Sequence, residues 1–363
     1  MPLPSKRDPE QLRADLQRWF AERMGDDVTV GPLATPDGNG MSSETLLFDL
    51  TQNGVVDHLV ARLRPDMSDW PVFPVYELGK QAAAMRLAHA HSSVPVPEVL
   101  WVEDDDAALG APFLVMRRVS GKALPDMPPY VFGGSFMDDF TSVERRELQR
   151  NATAALAQLH AIDRDAVAAA GIGPVGESGQ ESLSRQLAEL RANYDWARTD
   201  WAFGDQPVPV IERAFAWLDA HRPSEVGPTV LNWGDARPGN ILFDGTRPAA
   251  VLDWEMVNVG PAAIDVGWFV FLHEFFQGYS TFFELPGFPD FCRPEDVHAD
   301  YVAAGGQPIV DLDWYVTFAA ARFAVISLRT ESREVAYGNR AAHETPDEMV
   351  MQGTLLAGRV AQP

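Results

Sequence analysis

Leu231-Asn232-Trp233-Gly234-Asp235-Ala236-Arg237-Pro238-Gly239-Asn240-Ile241-Leu242-Phe243-Asp244 places an Asp and an Asn five residues apart, and Ala250-Val251-Leu252-Asp253-Trp254-Glu255 adds a second Asp thirteen residues after the Asn. Transfer of a phosphoryl group from ATP needs a carboxylate that orients and deprotonates the acceptor hydroxyl, together with oxygen ligands that hold Mg²⁺ against the phosphates. A D-x-x-x-x-N loop followed by an Asp supplies all three. Asp235 is the candidate base. Asn240 and Asp253 are the candidate metal ligands, one neutral and one anionic oxygen donor, the kind a hard cation prefers. Any one of them alone reads equally well as a turn or capping residue, and it is the two spacings together that argue for chemistry.

Outward from this stretch, the chain changes character along its length. Residues 9–24 read as an amphipathic helix, with Leu12, Leu16 and Phe20 at four-residue spacing. Two strand-like runs, 45–50 and 55–63, flank the turn signal Gln52-Asn53-Gly54 and predict a β-hairpin. A helix over 76–91 stops at Val94-Pro95-Val96-Pro97, and a strand over 113–119 follows. Beyond Gly121 the pattern is helical. Thr141-Ser142-Val143-Glu144 has the form of a capping box ahead of Leu148, Ala152, Ala155, Leu156 and Leu159. Leu183, Leu187, Leu190 and Tyr194 mark another helix, and Ile211, Phe215 and Leu218 a third. Residues 123–134 hold three prolines and two glycines, too many for a regular element, and are expected to lie as an ordered loop over a cleft. The last twenty residues are expected to be loosely held.

The chain has 363 residues, enough for two lobes around a cleft, with a net charge of −23 and a pI near 4.6. That acidity argues against nucleic acid or an anionic membrane as partner, since both are polyanions. A single cysteine, Cys292, excludes an intrachain disulfide and any multi-cysteine zinc site. The first residues lead into a charged helical pattern, and no run approaches the ~18 apolar residues of a membrane span, so the expectation is a cytoplasmic protein.

A mixed β-then-α order, the D-x-x-x-x-N loop and the following D-W-E together resemble the aminoglycoside phosphotransferase-like branch of the protein-kinase fold, over residues 30–329. The resemblance implies an α+β, bilobal, protein-kinase-like fold: an N-terminal lobe built on an antiparallel sheet (1–118) that binds nucleotide, and a mostly helical C-terminal lobe (119–363) that carries catalysis and the acceptor. That family's catalytic loop reads H-G-D-x-x-x-x-N, so Trp233 stands where its His would be; the position packs and orients the loop. Ile264-Asp265-Val266-Gly267-Trp268 matches the family's later Asp beside an aromatic, which anchors the loop backbone. Leu156-Ala157-Gln158-Leu159-His160 matches its L-x-x-L-H signature, where His160 reads as a packed structural residue.

The same resemblance assigns the remaining candidates. Arg237, two residues after the base, stands where protein kinases carry a Lys that touches the transferring phosphate, although a salt bridge within the loop accounts for it nearly as well. Val60-Ala61-Arg62-Leu63-Arg64 is similar to the strand whose basic residue meets the α- and β-phosphates, with Arg62 the better match; alternation puts Arg62 and Arg64 on one face. Its partner acid would fall at Gln81 or, one turn earlier, Glu77. Gly38, Gly40 and Ser43 belong to a glycine-containing segment whose amides would fold over the phosphates. Met116 and Arg118 mark the lobe junction, where backbone groups would meet adenine.

The implied activity is ATP- and Mg²⁺-dependent phosphorylation of a hydroxyl on a small molecule. Asn258-Val259-Gly260-Pro261 passes quickly from Asp253-Trp254-Glu255 to Asp265, leaving no activation loop ending in A-P-E, so a protein substrate is disfavoured. A second reading is a nucleotide-binding regulatory module that has lost catalysis; Trp233 and Gln81 speak for it, and the retained Asp235, Asn240 and Asp253 against it. A third is a true aminoglycoside-resistance kinase. Such a polycationic acceptor wants carboxylates converging on the cleft, whereas Pro125, Pro128, Pro129, Tyr130 and Phe132 promise a stiff apolar wall and a hydrophobic or amphipathic acceptor.

Overall fold

The computed structural model describes residues 7–36, 43–351 and 353–361. Asp8 caps helix α1 (Pro9–Met24) by accepting from the Glu10 amide, Pro9 occupies the first turn, and Gly25 at φ 99° ends it. Strands β1 (Val28–Val30), β2 (Glu44–Gln52) and β3 (Val55–Leu63) follow, the last two joined by Asn53 and Gly54, both at positive φ as a tight hairpin requires. Helix α2 (Leu78–His91) leads to β4 (Val99–Glu103) and β5 (Phe113–Arg117), giving an antiparallel five-stranded sheet of order β1-β2-β3-β5-β4.

The period-two alternation of the strands divides this sheet between two cores. Leu59, Ala61, Leu63, Phe113 and Val115 pack with Trp19 and Phe20 of α1, while Val60, Leu114 and Met116 join α2 and the core of the second lobe. Arg62 shares the second face.

The second lobe is mostly helical. It comprises α3 (Ser142–His160), α4 (Arg164–Ala169), α5 (Gly179–Ala197) and α6 (Pro209–Ala220), then α7 (Ala262–Phe282), α8 (Pro294–Ala303), α9 (Leu312–Ala336) and α10 (Gly353–Val360). The capping box of α3 forms as the sequence indicates, with Thr141 and Glu144 each satisfying the other's backbone amide. Between α6 and α7 lie two short antiparallel pairs, β6 (Thr229–Asn232) with β9 (Asn258–Pro261) and β7 (Ile241–Asp244) with β8 (Arg247–Val251). These pairs carry the stretch quoted first. Mixed composition, the antiparallel sheet and the helical lobe make this the α+β architecture expected.

Two expectations need correction. The end of the chain is packed: Leu356 of α10 is buried, and Arg359 pairs with Asp313 at 2.9 Å and with Glu274. In the 123–134 segment Tyr130 turns inward, its hydroxyl 2.7 Å from His273 Nδ1 and its ring against Phe276 and Phe288, because an aromatic of that size gains more by burial than by lining solvent. It therefore contributes no surface wall.

Candidate functional site

The 233–240 loop is held from behind by one carboxylate. Asp265, in the first turn of α7 and wholly buried, accepts from the amides of Trp233 (2.7 Å) and Gly234 (3.0 Å). His160 Nε2 lies 3.1 Å from the same carboxylate, and its Nδ1 is 2.8 Å from the Tyr301 hydroxyl, so His160 is a packed support for Asp265. Gly234 adopts φ 93°, and a Cβ there would stand 2.0 Å from the Met256 carbonyl oxygen, which explains a residue without a side chain. Trp233 supplies a cross-link: its indole Nε1 donates to the carbonyls of Leu252 (2.8 Å) and Asp253 (3.1 Å), tying the Asp235 loop to the second Asp.

Asp235 emerges from this support with its carboxylate oriented by two donors. Trp268 Nε1 is 2.7 Å from Oδ1, and Asn240 Nδ2 is 2.6 Å from Oδ2. Burial pushes its pKa up. Arg237 and the two donors oppose that rise, and the nearby Asp253 charge adds to it. Arg237 Nε lies 3.3 Å from Asp235, but its guanidinium engages Asp126 through two bonds of 2.7 and 2.9 Å. Burial works against that cation, and the carboxylates of Asp126, Asp235 and Asp253 more than offset it, raising its pKa. Arg237 thus fixes the loop to segment 123–134 and neutralises charge beside Asp235.

Asp253 sits at φ 58°, a left-handed conformation sparsely used by residues other than Gly, Asn and Asp. Its Oδ1 lies 3.1 Å from Arg62 Nη2, which also meets Ser43 Oγ (2.6 Å) and Glu255 Oε2 (3.7 Å). The carboxylates facing Arg62 are therefore those of the D-W-E turn. Glu77 instead pairs with Lys80 at 3.7 Å on the surface, and Gln81 is buried on α2. Met116 is buried on the sheet face that carries Arg62, paired in register with Val60. Arg118 reaches Asp49 (3.3 Å) and His58 (2.9 Å) at the outer end of that face. Gly38 and Gly40 lie outside the described residues.

The donor set around Asp253 suits a hard cation. Asn240 commits its amide nitrogen to the Asp235 backbone and side chain, at 3.1 and 2.6 Å, which leaves its Oδ1 as the atom for a metal. Asp253 has Oδ2 left over beside the oxygen that Arg62 contacts. Two oxygens are too few for an all-protein cage, and among the described residues no group of three or more His, Cys, Asp or Glu is placed to hold an ion. Mg²⁺ commonly binds in this manner, through one or two protein oxygens with phosphates and water completing its shell.

Four contributors escaped the sequence reading. Trp268 was visible only as an aromatic after Asp265, Glu255 only as part of D-W-E, Asp126 as a loop residue, and Arg322 of α9 not at all. The guanidinium of Arg322 lies 5.3 Å from the Trp268 ring centroid. Adjacency to Asp253 was the one available signal for Glu255; the others meet the site across long chain separations.

The family model for the phosphotransferase enzyme family, APH, matches residues 34–291. Among curated proteins the chain is 27% identical over 327 residues to a probable acyl-CoA dehydrogenase, IBR3, of Arabidopsis thaliana, matching 85% of this chain and 37% of that protein. It is 26% identical to acyl-CoA dehydrogenase family member 10 of Mus musculus, over 86% of this chain and 27% of that one. The chain thus corresponds to about a third of these longer relatives. Among solved structures, aminoglycoside phosphotransferase APH(4)-Ia in complex with ADP and hygromycin B shares the fold at TM-score 0.53 and 16% identity, with 96% and 97% of the two chains covered.

Proposed function

The chain belongs to the phosphotransferase enzyme family, and on that footing we propose that it transfers the γ-phosphate of ATP to a hydroxyl of a small molecule, with Asp235 as base and Mg²⁺ as cofactor. The observation that carries this reading is the Asp235 carboxylate, buried and aimed by Trp268 and Asn240, with Asp253 close enough to influence its protonation. A structural loop cap needs no such double alignment.

In this reading Asp235 Oδ accepts the acceptor's hydroxyl proton as the oxygen attacks phosphorus. A carboxylate is basic enough because the transition state is loose and positioning dominates. Trp268 and Asn240 keep the carboxylate in one rotamer. Asn240 Oδ1 and Asp253 would hold Mg²⁺, which when bound would offset the charge of the phosphate oxygens. Arg62 on β3, now against the D-W-E carboxylates, would be the residue to meet the α- and β-phosphates. Arg237 balances the negative charge gathered around the base, and the sheet face with Val60 and Met116 packs on the adenine.

The test is Asp235→Asn assayed for ADP release over a panel of hydroxylated metabolites. The amide keeps the shape and cannot take the proton, so ATP binding should persist while turnover falls roughly 10²-fold or more. Turnover equal to wild type on an accepted substrate removes Asp235 from the base's role.

A further inference from the structure

Arg322 is an unmatched cation in a protein with 52 acidic and 29 basic residues. It is half-buried on α9, over the ring of Trp268, whose indole donates to the base. Three carboxylates act on it from the elements packed around it, Asp235, Asp265 and Glu189, and all three are engaged elsewhere. Asp235 is held by Trp268, Asn240 and Arg237. Asp265 takes two loop amides and His160. Glu189 of α5 pairs with Arg185 at 2.8 Å and accepts from Asn258 at 3.4 Å. Among the described residues no carboxylate or carbonyl hydrogen-bonds to the Arg322 guanidinium. Burial accordingly pulls its pKa below the ordinary guanidinium value.

A half-buried guanidinium without an anion is costly, and one indole ring is all that separates this one from the base. Arg62, Arg185, Arg237 and Arg359, also half-buried, are ion-paired, and half-buried Arg145 and buried Arg329 donate to backbone carbonyls. Arg64, like Arg322, has no ion pair among the described residues, but it directly follows β3 in the first lobe, whereas Trp268 stands on α7. Beyond Trp268 the surroundings are apolar and aromatic: the half-buried Phe323 ring lies 6.3 Å from Trp268, 5.8 Å from Phe271 and 4.3 Å from Phe275.

We infer that Arg322 docks an oxyanion of the acceptor, so that the substrate is an amphipathic hydroxy compound carrying a carboxylate or phosphate group, which rests on the phosphotransferase reading above. The five donors of a guanidinium match either oxyanion in a two-point contact. A polycationic acceptor would be repelled by the same group.

Isothermal titration with 10-hydroxydecanoate, 10-hydroxydecyl phosphate, 10-hydroxydecanamide and 10-hydroxydecyl-trimethylammonium tests the site without relying on turnover. One or both anions should bind roughly 10- to 100-fold more tightly than the amide, the span of charge-assisted hydrogen bonds, and the cation more weakly still. Which anion is preferred identifies the oxyanion. Arg322→Gln should erase that preference and leave amide binding unchanged, while Arg322→Lys restores part of it. Amide or cation binding as tight as either anion, or Arg322→Gln weakening all four ligands alike as a merely structural residue would, overturns the inference. ADP release measured beside the titration separates the two levels: charge-selective binding lost in Arg322→Gln without ADP release leaves the docking site standing and removes the phosphotransfer reading, whereas ADP release without charge preference does the reverse.

Discussion

Asp235, the proposed base, is tuned by an indole thirty-three residues away in the chain. Trp268 Nε1 donates to the charged carboxylate and so favours ionisation, in opposition to burial. Trp268→Phe keeps the ring's bulk and loses the donor. The Asp235 pKa then rises, and with the deprotonated carboxylate as the proposed active form, the acid limb of the kcat/KM profile is expected to move to higher pH. Turnover above that limb should fall roughly tenfold, the worth of a hydrogen bond to a charged group. A pH–rate series on both proteins checks it; an unmoved limb would mean the indole only packs. Asp235, Asn240 and Asp253 stand out as candidates in the sequence because their relation is local, written as two spacings. Asp126 and Arg322 do not, because a loop aspartate or a helical arginine looks ordinary until folding brings it 111 residues across the chain to Arg237, or onto the face of Trp268.

Elements were legible to the extent that their signals were local. The first helix, with its Asp8 cap and Pro9, coincides with the expected 9–24, and the Asn53-Gly54 turn fixes the β2–β3 register. β4 and the short pairs β6–β9 and β7–β8 gave no comparable signal: four- and five-residue strands carry too little periodicity, and their partners are remote. Yet β6 and β9 frame the loop that bears Asp235. Their junction depends on Gly234, which is both left-handed and pressed against Met256. Gly234→Ala should destabilise the fold by about 3 kcal/mol or more, through backbone strain plus a clash with a carbonyl that cannot swing away. A drop in the urea midpoint would register it, and a variant as stable as wild type would show that the loop can re-form around a side chain.

Across the whole molecule, His273 ties stability to pH. Its Nδ1 meets the Tyr130 hydroxyl and its Nε2 the Phe288 carbonyl, an arrangement for the neutral ring, and burial lowers its pKa to about 4. The unfolded chain takes up a proton near pH 6.5 and the folded one does not, so the contribution is intact above pH 6.5 and is lost as pH falls toward 4. Between pH 7 and 4.5 this amounts to about 2 kcal/mol, and urea melts of wild type against His273→Gln should show the variant losing correspondingly less on acidification. No helix among the described residues is long and apolar enough to cross a membrane, and the two cores meet on opposite faces of one sheet. The carboxylate of Asp265 gives that architecture a dynamic signature. It gathers donors from two separate segments, the 233–234 loop and the end of α3, and the amides of Trp233 and Gly234 that it accepts are sealed from solvent. Those two amides should exchange with deuterium only when the lobe opens as a unit, at rates matching the most protected helical amides of α7. A connecting segment would then rank among the slowest-exchanging parts of the chain, and the adjustment needed to admit a ligand must come from the surfaces that face this loop while the loop itself keeps still.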